Sequence, residues 1–304
     1  MLRMTQQPAE PAVMRALDPK RTPGSTRPLE LAPKRVHALG LTYAAHINET
    51  GASDAEGPAV FAKDASSLLR EGDEVVSPSR AVMVEAVSRL DAALGSRLAS
   101  RFESLPPLLD YEVELGLLML DDVRREDVEK PGYAPPVGYF LANDVTARSV
   151  QVLGEGRADR MAFWSAAKSF AGFLVAGRVL WAPDVPQAAA CLDVTLTLTV
   201  NGELRQKGRT MDLVAAPREL LLRAARAAPS GVLEKGDVVL TGTPSGVAFT
   251  VPAWKRRLAA LLGPGARLSA ALRAHARNPR MLKAGDVVEM DGGVLGQRRF
   301  VISG

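Results

Sequence analysis

The 304-residue chain has only one cysteine, Cys191, so no internal disulfide can form and a reducing compartment, the cytoplasm, is the expected setting. In an apolar strand a lone cysteine reads as filler rather than as a catalytic thiol. No run of eighteen apolar residues occurs, which removes a helical membrane span from the expected architecture. Histidine is scarce, at three residues, so a histidine spaced to meet a carboxylate carries weight. Most of the chain also lacks an excess of positive charge. Trp254 to Lys283 holds eight Lys or Arg and no acid, so the net +4 leaves −4 for everything else. The high pI therefore belongs to one segment, and neither a nucleic-acid nor a membrane partner is expected.

What remains is 47% hydrophobic and 24% charged, an ordinary globular balance in a chain long enough for a substantial core. Residues 1–38 scatter Pro, Arg and small residues without a helical or strand period and read as a poorly ordered N-terminal arm. Residues 39–304 form the expected catalytic domain, with a basic helical insertion at about 251–281. There Trp254, Leu258, Leu261 and Leu262 recur at helical spacing, and Leu268 and Leu272 follow a Gly263-Pro-Gly break.

The stretch from Tyr111 to Gln151 carries the chemistry. Successive side chains of a strand point to opposite faces, so Glu112 and Glu114 share one face while Val113 and Leu115 take the other. Two carboxylates held side by side in an apolar strand repel each other unless a proton or a cation is shared. Asp144 ends a second apolar run, and three carboxylates with room for water suit a hard divalent ion such as Mg²⁺.

Further residues gather around this stretch. His46 and Glu49 lie three apart, which on a helix puts them on one face, either as a surface pair or as an imidazole oriented by a carboxylate. Lys63 interrupts an apolar run and faces either a pocket or solvent at a strand edge. Lys168 sits in an otherwise apolar passage and needs an anion, in a structural ion pair or from a substrate. Asp193 to Val200 alternates with period two before Asn201-Gly202, a hairpin signal, and a helix begins near Pro217. Thr241-Gly-Thr-Pro-Ser-Gly246 is a glycine-rich loop whose backbone can approach a ligand closely, with the Thr243 hydroxyl beside it.

Taken in order, the motifs Tyr43-Ala-Ala-His-Ile-Asn-Glu49, Tyr111-Glu-Val-Glu-Leu115, Asn143-Asp-Val-Thr-Ala-Arg148 with Gln151, Ala167-Lys-Ser-Phe170, Val200-Asn-Gly-Glu203 and Thr241 to Gly246 resemble the fumarylacetoacetate hydrolase family. The resemblance implies an α+β, predominantly β fold with the mixed rolled β-sheet core of that family's C-terminal domain. It also implies a homodimer and a site holding Mg²⁺, with Mn²⁺ or Ca²⁺ as alternatives. By position it assigns the metal ligands to Glu112, Glu114 and Asp144, a lid dyad to His46 and Glu49, the active-site lysine to Lys168, and substrate contacts to Arg148, Gln151 and Thr243. Ala171, Ser149 and the long basic segment depart from the family's usual pattern. The expected reaction is hydrolysis of a C–C bond in an acylpyruvate-type β-diketo acid, with the metal stabilising the pyruvate enolate and the His–Glu dyad activating water. The alternative is decarboxylation or keto–enol isomerisation of a 2-keto diacid in the same site.

Overall fold

A strand that is apolar along its whole length must be covered on both faces. That is the situation of Val113–Met119, every residue of which is buried. The computed structural model describes residues 14–50, 58–250, 261–275 and 277–304. In chain order these form strands β1 (Arg15–Leu17), β2 (Gly24–Pro28) and β3 (Val36–Gly40), helix α1 (Ala44–Thr50), and strands β4 (Ala59–Lys63) and β5 (Glu74–Val76). Helices α2 (Arg80–Leu90) and α3 (Ala92–Arg101) lead into β6 (Leu109–Asp110), β7 (Val113–Met119) and β8 (Val123–Arg124). Then come α4 (Arg125–Val128), β9 (Val137–Asp144), β10 (Thr146–Ala147), α5 (Arg148–Gly154) and α6 (Arg160–Lys168). Strands β11 (Leu174–Pro183), β12 (Ala190–Leu192), β13 (Thr195–Val200) and β14 (Glu203–Arg209) precede α7 (Pro217–Ala227), β15 (Val232–Leu233) and β16 (Val238–Leu240). Helix α8 (Pro264–His275) and strands β17 (Val287–Asp291) and β18 (Gln297–Ser303) close the chain.

Two mixed sheets organise these elements. The larger has seven strands in the order β2-β11-β9-β7-β16-β3-β4, and the smaller has five in the order β14-β13-β17-β18-β5. All neighbours run antiparallel except β16 beside β3 and β18 beside β5. The architecture is strand-rich α+β, as the sequence led us to expect. One face of the large sheet contributes Val113, Leu115, Leu117, Tyr139 and Leu141 to the main core, together with Leu196, Leu198, Val288 and Phe300 of the small sheet. The other face contributes Leu118, Phe140 and Ala142 to a second, smaller core containing Phe61, with Trp164 packed against it. Glu114 and Gly116 are paired with Ala142 and Phe140 of this second set, so the acids lie at the end of the smaller core.

Local chemistry explains the expected elements that formed. Asn201 and Gly202 both have positive φ, 52° and 79°, as the tight hairpin between β13 and β14 requires. Pro217 starts α7 in the first turn, where its missing N–H costs nothing. The amphipathic run near residues 80–100 is two helices, because the Asp91 carboxylate accepts from the Leu94 N–H and caps α3 just as α2 ends. Cys191 is buried in β12, and burial pushes its thiol up to about 12, which makes it inert filler.

One expectation is corrected. Residues 15–17 and 24–28, read as part of a poorly ordered arm, pair instead with β12 and β11. All five β2 residues are exposed, so only backbone hydrogen bonds hold the strand and no hydrophobic period marks it. Residues 1–13 lie outside the described residues, as do Trp254 and Leu258. Leu261 and Leu262 precede α8 and are exposed, whereas Leu268 within it is buried. Among the described residues no helix is long and apolar enough to cross a membrane.

Gly116 is the position where β7 is least tolerant. A Cβ there would fall 2.3 Å from Phe140 Cζ. Gly116→Ala is expected to lower the unfolding free energy by about 1–3 kcal/mol through overpacking, read as a drop in the urea midpoint. An unchanged midpoint would contradict this packing of the sheet.

Candidate active site

The antiparallel register of β7 and β9 sets the site. Beyond the last paired residues, the Asp144 N–H donates to the Glu112 carbonyl at 2.9 Å, which places the two acids opposite each other. Glu114 follows on the same face, and oxygens from Glu112, Glu114 and Asp144 lie within 4.8 Å of one another, all three residues buried. Helix α6 ends at Lys168, whose Nζ donates to Glu112 Oε2 and Asp144 Oδ2, each at 2.7 Å. Lys63, at the end of β4, donates from Nζ to Asp144 Oδ1 at 2.8 Å and to the Lys168 carbonyl. Lys63 is thus buried in the acid cluster and is not a solvated edge lysine.

Arg148 opens α5 and completes the cluster. Its Nη2 donates to Glu112 Oε1 at 2.6 Å, its Nη1 to Gln151 Oε1 at 2.6 Å, and its Nε to Asp110 Oδ2 at 2.9 Å. Asp110 is a residue the sequence reading passed over. It is fully buried and also accepts the backbone N–H groups of Ala248 and Phe249, at 2.7 and 3.0 Å. Its signal was available: an acid in an apolar run, two residues before Glu112 and four before Glu114.

The electrostatics follow from counting charges. Four buried carboxylates, Asp110, Glu112, Glu114 and Asp144, face three buried cations, Lys63, Lys168 and Arg148, so one negative charge is in excess. Glu114 bears the consequence: burial, then the charges of Asp144 and Glu112, push its carboxyl well above the usual carboxylate range. Burial pushes Glu112 the same way, but Lys168 and Arg148 outweigh it and hold Glu112 below that range. A divalent ion beside Glu114 would remove the like-charge repulsion that raises it. Three carboxylates form a hard oxygen donor set, so the residues present fit Mg²⁺, Mn²⁺ or Ca²⁺.

The loop after β16 covers Glu114. The Gly242 N–H donates to Glu114 Oε2 at 2.7 Å. Only glycine fits there, since φ is +88° and a Cβ would fall 2.2 Å from Thr42 Oγ1. The Thr243 hydroxyl donates to the Val113 carbonyl at 3.0 Å and accepts from Gln206 Nε2 at 2.8 Å, so two of its hydrogen-bonding positions fasten the loop to β7 and β14. Gln206 was also missed, for a physical reason: it is the one buried residue of β14, so the strand shows no apolar alternation.

The dyad stands at the far end of the same loop. His46 Nδ1 is 3.3 Å from Glu49 Oε2, and the Gly246 N–H donates to Glu49 at 3.2 Å. Burial tends to raise the Glu49 pKa, but the bonds from His46 and the Gly246 amide prevail and the net shift is downward. An ionised Glu49 makes His46 Nδ1 the protonated nitrogen and puts the imidazole lone pair on Nε2.

The rolled mixed sheets and the buried acid–lysine cluster define a candidate metal-dependent enzyme site. Residues 35–303 match the fumarylacetoacetate (FAA) hydrolase C-terminal family, and the chain belongs to that family. It is similar to the oxaloacetate tautomerase YcgM of Escherichia coli, 30% identical over 226 residues that span 72% of this chain and 84% of that one. The mitochondrial oxaloacetate tautomerase FAHD1 of Mus musculus is 29% identical over 215 residues, 70% of this chain and 81% of the other. Among solved structures, the fumarylacetoacetate hydrolase of Exiguobacterium antarcticum superposes with a TM-score of 0.54 at 27% identity, covering 90% of this chain and 76% of that one. A fumarylpyruvate hydrolase of Pseudomonas aeruginosa, solved in complex with Mn²⁺ and pyruvate, shares the fold at 21% identity and a TM-score of 0.55, covering 90% and 91%.

Ion binding by the acids has a direct readout. Saturating Mn²⁺ is expected to raise the wild-type melting temperature, with about 2.7 kcal/mol of added stability at one hundred times Kd. Glu114→Ala is expected to abolish that rise. A rise of the same size in Glu114→Ala would remove Glu114 from the ligand set.

Proposed function

We propose that this chain is a divalent-metal-dependent enzyme of short 2-keto acids, and that its reaction is keto–enol interconversion of a 2-keto diacid of the oxaloacetate kind. The observation that carries the reading is the buried cluster of Glu112, Glu114 and Asp144 with Lys168 bridging two of them. The oxaloacetate tautomerases near 30% identity support interconversion ahead of cleavage. The Mn²⁺ and pyruvate held by a structural neighbour support a metal and a 2-keto acid head in this site. Mg²⁺ or Mn²⁺ as the ion, a homodimer, and residues 39–304 as the catalytic domain belong to the same proposal.

The ion, when bound, supplies a fixed positive charge that favours an enolate over its ketone. The remaining work falls to the chain's own groups. Glu112, Glu114 and Asp144 hold the ion, and Arg148 keeps Glu112 in place through its Nη2 bond. Lys168 Nζ places an ammonium beside the reacting oxygens, and burial leaves that charge poorly screened. His46 Nε2 takes the proton from the substrate carbon next to the ketone and gives it to the ketone oxygen to complete the enol, the reverse transfer running from enol to ketone, while Glu49 orients the ring. Gln151 and Thr243 complete the proposed substrate contacts.

Hydrolysis of an acylpyruvate is the second reading, favoured by the His46–Glu49 pair, since the same Nε2 can take a proton from water attacking the distal carbonyl. One assay separates them. With Mn²⁺, the enol absorbance of oxaloacetate should decay faster with enzyme than without, while acylpyruvates release no pyruvate. Pyruvate release from acylpyruvates would instead establish hydrolysis, and activity in neither assay would refute the proposal. His46→Ala is expected to lower kcat by roughly 10²–10⁴-fold and to leave the Mn²⁺-dependent thermal shift intact. Unchanged turnover in this variant would exclude His46 as the base.

A further inference from the structure

The end of the basic insertion grips the loop whose Gly246 N–H holds the dyad's Glu49. Asn278 Nδ2 donates to the Ala248 carbonyl at 2.9 Å, and the His275 ring stacks on Phe249 with centroids 4.2 Å apart. Arg280 makes the contact of greatest consequence. Its Nη2 donates to the Gly246 carbonyl at 2.7 Å and reaches the Arg205 carbonyl of β14 at 3.4 Å.

Gly246 is the residue through which this contact acts. Its φ is +104°, and a Cβ would fall 2.3 Å from the Arg205 carbonyl oxygen, so no other residue fits. Glycine is also the most permissive residue, so the direction of its N–H is set by whatever holds the neighbouring peptide groups. On one side of the Cα, the N–H donates to Glu49 Oε2 at 3.2 Å and to Oε1 at 3.4 Å. On the other side, the carbonyl is held by the Arg280 guanidinium. A charged donor gives the stronger class of hydrogen bond, and the planar guanidinium can span two carbonyls at once.

The geometry points to Arg280 as a positioning residue for the His46–Glu49 dyad: by holding the Gly246 carbonyl it restrains the backbone of the residue whose N–H, in the preceding peptide group, holds Glu49, and so sets the tautomer of His46. The guanidinium charge also lies close enough to Glu49 to favour its ionised form. The inference rests on the reading of His46 as the proton carrier. It gives the basic segment a role within the chemistry, since Arg280 is one of the cations of that otherwise acid-free stretch.

The test combines kinetics with imidazole NMR on the full-length protein, where three histidines make assignment tractable by single replacements. In wild type, the ¹⁵N shifts of His46 should report a proton on Nδ1. Arg280→Met is expected to move that ring toward the Nε2-protonated form and to lower kcat by about 10- to 100-fold with KM nearly unchanged. Arg280→Lys, which keeps a charged donor for the Gly246 carbonyl, should recover most of the loss. Should Arg280→Met fail to fold, Arg280→Gln gives the same reading, with the tautomer shift in the same direction and a smaller fall in kcat. An unchanged His46 spectrum in these variants, or an effect on KM alone, would overturn the inference. If the wild type turns over no keto acid, the functional proposal fails while the His46 spectrum still decides whether Arg280 positions the dyad.

Discussion

The site depends on keeping four carboxylates together out of water. Each buried acid would cost several kcal/mol if unpaired, and side by side they also repel. The fold meets this with three cations from three different elements: Lys63 from the end of β4, Lys168 from the end of α6, and Arg148 from the start of α5. The compensation stops one charge short, and the shortfall falls on Glu114. A site one positive charge short, built from hard oxygens, is prepared for a cation. Removing any one of the three resident cations would leave an acid uncompensated in the interior. Their role is therefore structural as much as chemical.

The second dependence is on a single loop. Residues 242–249 hold three acids in turn: Gly242 bonds Glu114, Gly246 bonds Glu49, and Ala248 and Phe249 bond Asp110, while Thr243 is locked to β7 through Val113. Asp110 in turn holds Arg148, which holds Glu112. The dyad and the acids are thus connected through backbone amides, which have little freedom once the loop is fastened. Gln206 fastens it on one side, donating to both Thr243 and the Pro244 carbonyl, and Asn278 and Arg280 fasten it on the other.

What could be read from the sequence follows from where the information lies along the chain. The acids at 112 and 114 announce themselves because alternation in a buried strand is a local pattern, and the hairpin at Asn201-Gly202 and the helix start at Pro217 are local turn chemistry. Strand β2 escaped because pairing through the backbone with exposed side chains leaves no hydrophobic period, and β1 because three residues with one buried, Leu17, are too short to show one. Asp110 shares the local spacing of Glu112 and Glu114, and only its partners are distant, Ala248 lying 138 positions away. Gln206 escaped because it is the one buried residue of its strand, accepting from the Val113 N–H across 93 positions. Lys63 was legible only as an ambiguity because its acid lies 81 residues away. Family resemblance named Glu112, Glu114 and Asp144 as the expected ligands, but it did not reveal that Arg148 has most of its donors engaged by Asp110, Glu112 and Gln151.

The central claim is that the buried acids hold a divalent ion and that the ion is what receives a 2-keto acid head. Calorimetric titration with oxalate, a keto-acid mimic, tests it most directly, because an ion that receives the mimic raises its affinity and, by linkage, the mimic raises the ion's affinity by the same factor. Oxalate should bind the Mn²⁺-loaded protein at one equivalent per chain and bind far more weakly after chelation, with Mn²⁺ affinity rising reciprocally when oxalate is present. Oxalate binding of equal strength with and without Mn²⁺ would contradict the account.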